Sequence, residues 1–211
     1  MKYLILILCS GCATLDGFVH GGVPCSTVSS STCEDVADPW DKVCLPCDTP
    51  YDWSKTYDWM TGTLTENETI RSPDPSTISQ FTTPTLDGEG ELDGYFIPAH
   101  GDVPLLANTT LIYNHGNYAG IEHYQPRVHM LHDIGFNVLV WDYRGYGKSL
   151  PAAGPTPEQF MADSLQIRDL TDTYAPDNQK IIPYGYSLGG IPSMEMAAER
   201  DNCALIMEAA F

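Results

Sequence analysis

Positive charge is what this sequence has least of. Its 211 residues carry 10 Lys plus Arg against 28 Asp plus Glu, a formal net charge of −18. Binding phosphates needs clustered Lys and Arg, so nucleic acid is excluded as the main partner. The same deficit argues against electrostatic docking on anionic lipid. A long apolar run is also missing: the stretch from Tyr3 to Leu8 falls far short of the roughly 20 residues that span a bilayer. There is no internal repeat, and no low-complexity tract beyond Ser29-Ser30-Ser31. The 16 Pro and 18 Gly leave little room for a long helical bundle or coiled coil. Apolar residues, at 43%, suffice for a packed core, and the length suits one compact domain, or one domain with a short extra segment.

The N-terminus reads as an export signal, residues 1–12. Lys2 supplies the positive start, Tyr3 to Leu8 the apolar core, and Ser10 and Gly11 the small residues. Ser10-Gly11 ahead of Cys12 resembles the lipobox of bacterial lipoproteins, with Cys9 standing where Leu is usual. That resemblance implies lipidation at Cys12 and a place in the bacterial cell envelope, anchored to a membrane by lipid. Plain secretion and a structural N-terminal strand are the alternatives.

Residues 13–77 form a leader rich in Cys, Gly, Ser and Pro. Cys25, Cys33, Cys44 and Cys47 cluster in a polar stretch of an exported segment. They read as two disulfides, with three possible pairings. A metal site at Cys44 and Cys47 is the rival, but the Cys25 and Cys33 spacing supplies no second pair, and no metal is assigned. Trp40, Tyr51, Trp53, Tyr57 and Trp59 are expected to pack this leader on the main domain. Cys203 sits in the apolar run Cys203 to Met207 and reads as a buried core thiol.

From residue 78 the texture changes. Ile78 to Leu86 and Glu91 to Pro98 predict two strands joined by the turn Asp87-Gly88-Glu89-Gly90. Further strands are expected at Thr109–Tyr113, Asn137–Trp141, Lys180–Tyr184 and Ala204–Met207. Helices are expected at 122–134, from Pro157 to about Tyr174 with Thr156 as N-cap, and from Leu188 to Glu199. Strand and helix alternating with short connections demand an α/β fold, a mostly parallel sheet with helices on both faces.

Between the strand at 180–184 and the helix from 188 lies Gly185-Tyr186-Ser187-Leu188-Gly189-Gly190. This is a G-x-S-x-G sequence in the strand–turn–helix setting that makes it a nucleophile elbow. Side chains at Gly185 or Gly189 would collide with the neighbouring strand and helix. The helix start points free N–H groups at the site, so the backbone N–H of Leu188 can receive an oxyanion.

Three features in this order resemble the α/β-hydrolase superfamily: His115-Gly116-Asn117 after a strand, the loop Trp141 to Ser149, and the elbow. The combination is most similar to the Bem46-like and serine-aminopeptidase-like branch, over roughly residues 78–211. The resemblance implies an α/β-hydrolase fold, no cofactor, and a serine hydrolase acting on a small-molecule ester, a thioester or an amide such as a peptide. Carried onto this sequence, Ser187 is the nucleophile, and the N–H groups of Leu188 and Asn117, or of Tyr118 in place of Asn117, form the oxyanion hole. His115 and Gly116 shape that loop. Asp142 and Arg144 are expected to hold the neighbouring loop.

The departure from the family lies after the elbow. In this fold the acid and the His follow the nucleophile, yet His20, His100, His115, His123, His129 and His132 all precede Ser187. Three of them fall on the 122–134 helix, where exposure to solvent is the ordinary expectation. Glu208 ends the sixth expected strand, where some relatives place their acid. A Ser hydroxyl without a base is a poor nucleophile. The hydrolase domain is therefore expected to be truncated after about the sixth strand, inactive as it stands, with acid and His beyond Phe211. The alternative is a short non-catalytic surface lipoprotein or binding module on the same scaffold.

Overall fold

A computed structural model of the protein describes residues 51, 53–58, 63–66, 71–117, 120–151, 154–175 and 179–210. The lipidation candidate Cys12, the disulfide candidates Cys25, Cys33, Cys44 and Cys47, and the oxyanion alternative Tyr118 lie outside the described residues.

A two-stranded antiparallel hairpin, β1 (Lys55–Asp58) and β2 (Thr63–Glu66), precedes the main sheet. The main sheet comprises β3 (Ser79–Pro84), β4 (Glu91–Ile97), β5 (Thr109–Asn114), β6 (Asn137–Trp141), β7 (Lys180–Tyr186) and β8 (Ile206–Glu208). Its six strands run in the order β3-β4-β6-β5-β7-β8. β4 is antiparallel to both β3 and β6, whereas β6, β5, β7 and β8 are parallel. The α-helices among the described residues are α1 (Pro104–Ala107), α2 (Ile121–Ile134), α3 (Pro157–Tyr174) and α4 (Gly190–Glu199). The elements expected from the sequence are present, and β1, β2 and α1 are additional short ones.

The two faces follow from the period of two along each strand. Tyr95, Ile97, Leu111, Tyr113, Val138 and Val140 point to one face and pack on Ile121, Tyr124, Val128 and Leu131 of α2, together with Tyr51 and Trp53. Phe96, Ile112, Leu139 and Trp141 point the other way, onto Phe160 and Ile167 of α3 and Met196 of α4. All residues of β5 and β6 are buried, as the central strands of a doubly covered sheet must be. The start of α3 is fixed by a reciprocal pair: Thr156 accepts from the Gln159 N–H, and the Gln159 side chain accepts from the Thr156 N–H.

Two expectations need correction. Cys203 is exposed rather than buried. It precedes β8, which pairs with β7, and its N–H donates to the Ile181 carbonyl at 2.9 Å. The histidines of α2 are buried, not solvated: His123, His129 and His132 are each 3% exposed or less. The helix turns this polar row inward because other aromatic rings cover it. His129 lies against the Trp53 ring, and His132 meets His100 edge-on.

Candidate active site

Ser187 follows the last residue of β7 and has φ = +52°, a left-handed conformation that a non-glycine residue adopts only under constraint. A 3-10 turn, Ser187–Gly189, leads from it into α4, so the regular helix begins at Gly190, two residues later than expected. The compression around this turn explains its glycines. A Cβ on Gly189 would stand 1.9 Å from the Asn114 carbonyl oxygen, and one on Gly185 2.5 Å from the Gly189 oxygen. Ser187 as a whole is half-buried. The Leu188 N–H lies in the first turn, where helical donors lack a partner within the helix.

The sheet order brings the second segment to the elbow. β5 lies between β6 and β7, with Asn114 opposite Gly185, so the chain leaving β5 emerges beside the turn after β7. Crevices in open α/β sheets form at such carboxyl ends. The distances bear this out: a Cβ on Gly116 would meet the Tyr186 ring at 3.2 Å and the Tyr124 hydroxyl at 2.7 Å. His115 is fully buried, its ring stacked against Tyr143 (4.2 Å between centroids, 25°) and Tyr124 (5.1 Å, 21°). Its carbonyl accepts from the Tyr143 hydroxyl at 2.6 Å, and the Asn117 side chain accepts from the Tyr146 hydroxyl. Thus Ser187, Leu188, Gly185, Gly189, His115 and Gly116 are assembled in one place, with Asn117 on the same loop.

Asn114 is a residue that the sequence reading missed. Its Oδ1 accepts from Trp141 Nε1 at 2.7 Å, and its Nδ2 donates to Ser193 Oγ at 2.7 Å. Ser193 Oγ in turn donates to the Gly189 carbonyl at 2.8 Å. This fully buried chain joins β5, β6, α4 and the elbow, and the available signal was a lone amide side chain at the end of an apolar strand.

The loop after β6 is held as expected. Arg144 donates to both oxygens of Asp163 at 2.7 and 2.8 Å and to Asp87 at 2.8 Å. Burial pushes the Asp163 carboxyl up against the opposing pull of Arg144. Glu208 accepts two bonds from Arg127, both 2.7 Å, and one from the Tyr184 hydroxyl. Burial alone would raise its carboxyl, but these bonds bring it below the ordinary Glu range. Among the described residues no histidine hydrogen-bonds to Ser187, and no group of three or more His, Cys, Asp or Glu side chains is disposed to hold a metal ion. No helix among them is long and apolar enough to cross a membrane.

Comparison with known proteins gives a consistent picture. A family model described as serine aminopeptidase, S33, matches residues 107–211. The uncharacterized protein YfhR of Escherichia coli K12 is 29% identical over 153 residues, 69% of this chain and 51% of that protein. Protein bem46 of Schizosaccharomyces pombe is 31% identical over 106 residues, 48% of this chain and 35% of that protein. Among solved structures, the Pyrococcus furiosus esterase Pf2001 superposes with a TM-score of 0.52 at 20% identity, covering 77% of this chain and 57% of that one. The chain spans about half the length of the YfhR proteins it matches.

Proposed function

Because the chain belongs to the α/β-hydrolase superfamily, in its Bem46-like group, we propose that it is the nucleophile-bearing part of a serine hydrolase. The observation that carries this reading is the left-handed Ser187, wedged between β7 and the start of α4 with the His115–Asn117 loop packed against it. In the reaction, Ser187 Oγ gives its proton to a histidine base as it attacks the carbonyl carbon of an ester, thioester or amide. The oxyanion that forms is received by the N–H groups of Leu188 and Asn117. Its collapse expels the leaving group, protonated by that histidine, and leaves an acyl-enzyme; water, deprotonated by the same histidine, then releases the acid. That histidine and its acid are assigned to residues beyond Phe211, in keeping with the greater length of the relatives. Without them, the oxyanion hole and binding alone would leave roughly 10³–10⁴-fold over water. A small-molecule ester is favoured over a peptide.

The test is labelling by a fluorophosphonate probe, using protein expressed to the natural end of its reading frame. Labelling that disappears in Ser187→Ala supports the assignment. Persistent absence of labelling would overturn it and favour a non-catalytic binding module. Export with a lipid anchor at Cys12 and a disulfide-stapled leader complete the proposal, supported by Lys2, the apolar run and the cysteine pattern. Radiolabelled palmitate incorporated by the wild type and by Cys12→Ala alike would reject the anchor.

A further inference from the structure

We infer that Tyr51 and Asp142 form a clasp that ties the segment ahead of the sheet to the loop between β5 and α2, making both of them positioning residues for chemistry at Ser187. The catalytic consequence rests on the hydrolase reading; the clasp itself does not.

Asp142 directly follows β6 and its side chain is fully buried. Its carboxylate gathers three groups from separate parts of the chain. The N–H of Ile121, the first residue of α2, donates to Oδ1 at 2.9 Å. His115 Nε2 stands 3.2 Å from the same oxygen, close enough to feel its charge though off-axis for a hydrogen bond. The Tyr51 hydroxyl donates to Oδ2 at 3.2 Å across 91 positions of sequence. His115 and Ile121 bracket the loop that carries Asn117. One carboxylate therefore fixes the α2 end of the segment that would supply an oxyanion donor by a hydrogen bond and lies against its His115 end, and a negative charge is favourable at the N-terminus of α2.

The surroundings are built for this contact. A Cβ on Gly147 would stand 2.0 Å from Asp142 Oδ2, so no side chain fits there. The Asp142 carbonyl accepts from Ser149 Oγ at 2.6 Å, and Ser149 Oγ accepts from the Asp93 N–H at 2.9 Å, which fixes the backbone carrying the carboxylate. Tyr51 is itself buried, with the Tyr95 ring 5.1 Å away and the Lys148 ammonium 4.6 Å from its ring centre. A residue outside the matched family region thus ends on the carboxylate that organises the site.

Tyr51→Phe removes only the hydroxyl and keeps the ring in the core. Two readouts separate positioning from mere packing. The first is hydrogen exchange in peptides covering 115–124, expected to quicken roughly tenfold in Tyr51→Phe, while the β3–β4 region stays unchanged. The second is the rate of fluorophosphonate reaction at Ser187, expected to fall roughly tenfold with little change in Tm. Asp142→Asn should exceed both effects, and Tyr174→Phe, on the opposite face of the sheet, should show neither. Unchanged exchange over 115–124 in Tyr51→Phe overturns the clasp. Faster exchange with an unaltered labelling rate overturns the positioning role. Faster exchange in a protein whose wild type never labels leaves the clasp standing and rejects the hydrolase reading.

Discussion

The guanidinium of Arg127 lies 3.9 Å from the centre of the Tyr186 ring while it grips both oxygens of Glu208 at 2.7 Å. Tyr186 is the residue before the nucleophile, so this stack braces the elbow from the side of α2. It also occupies Glu208, leaving that carboxylate paired rather than poised to take a proton. In Arg127→Met, where burial keeps its push and only the Tyr184 hydroxyl still opposes it, the Glu208 carboxyl should titrate higher than in the wild type. Carboxyl-carbon NMR across pH reads this directly; an unmoved resonance would show that Arg127 is not what holds it.

The conformation of Ser187 carries a stability cost. A non-glycine residue at φ = +52° costs about 1 kcal/mol relative to glycine. Ser187→Gly is therefore expected to be more stable than the wild type by roughly 0.5–1 kcal/mol while losing probe labelling. Ser187→Ala should lose labelling without that gain. Urea midpoints of the three proteins decide the point, and equal midpoints for the glycine and alanine variants would remove the claim of strain.

Stability should depend on pH through Glu122. Burial, then the nearby Asp142 charge, push its carboxyl from 4.5 up to about 7. Between those values the folded state holds a proton that the unfolded chain has released, so stability falls as pH rises through this window and stays reduced above it. Glu122→Gln should stabilise the protein by roughly 1–3 kcal/mol at pH 8 and change little at pH 4. His123 and His129, both pushed from 6.5 down to about 4 chiefly by burial, act with the opposite sign. Their contribution is lost as pH falls from 6.5 towards 4, because the unfolded chain protonates first. Asp93, pushed up to about 6 chiefly by burial, acts with the same sign as Glu122 at lower pH. The difference between wild type and Glu122→Gln, followed by denaturation from pH 6.5 to 9, therefore isolates Glu122. A Glu122→Gln gain that is constant from pH 4 to 8 would contradict this assignment.

Arg144 is expected to be intolerant of replacement. Its guanidinium and the Asp163 carboxylate are each 2% exposed. Arg144→Met would leave a buried carboxylate without its cation, a change that costs about 3–5 kcal/mol. The double variant Arg144→Met, Asp163→Leu should recover part of that loss. No recovery would place the cost at Asp87 instead.

The order of strands and helices was legible because the buried strands Thr109–Asn114 and Asn137–Trp141 are apolar and β-branched where they must be, and because Thr156-Pro157 marks a helix start. The Ser187 elbow was legible for a similar reason: close backbone contacts admit only glycine at fixed offsets. The Asn114–Ser193–Gly189 chain was not: Gly189 and Ser193 stand one helical turn apart, but Asn114 meets them only when β5 and α4 are packed. The burial of His129 was hidden because it depends on Trp53, 76 positions earlier, and a helix read by itself carries no record of its cover. Cys203 erred the other way: it precedes β8 rather than lying on it, and an apolar run does not guarantee a roof.

The placement of β5 between β6 and β7 has a consequence for synthesis. A chain leaving the ribosome has β3, β4, β6 and β5 available to dock before β7 emerges. The elbow then forms after the frame that receives it, against a loop already seated by its tyrosines, and β7 takes the free edge of β5. The nucleophile enters a finished frame, so a chain stalled before residue 180 would carry the receiving loop and no reactive serine.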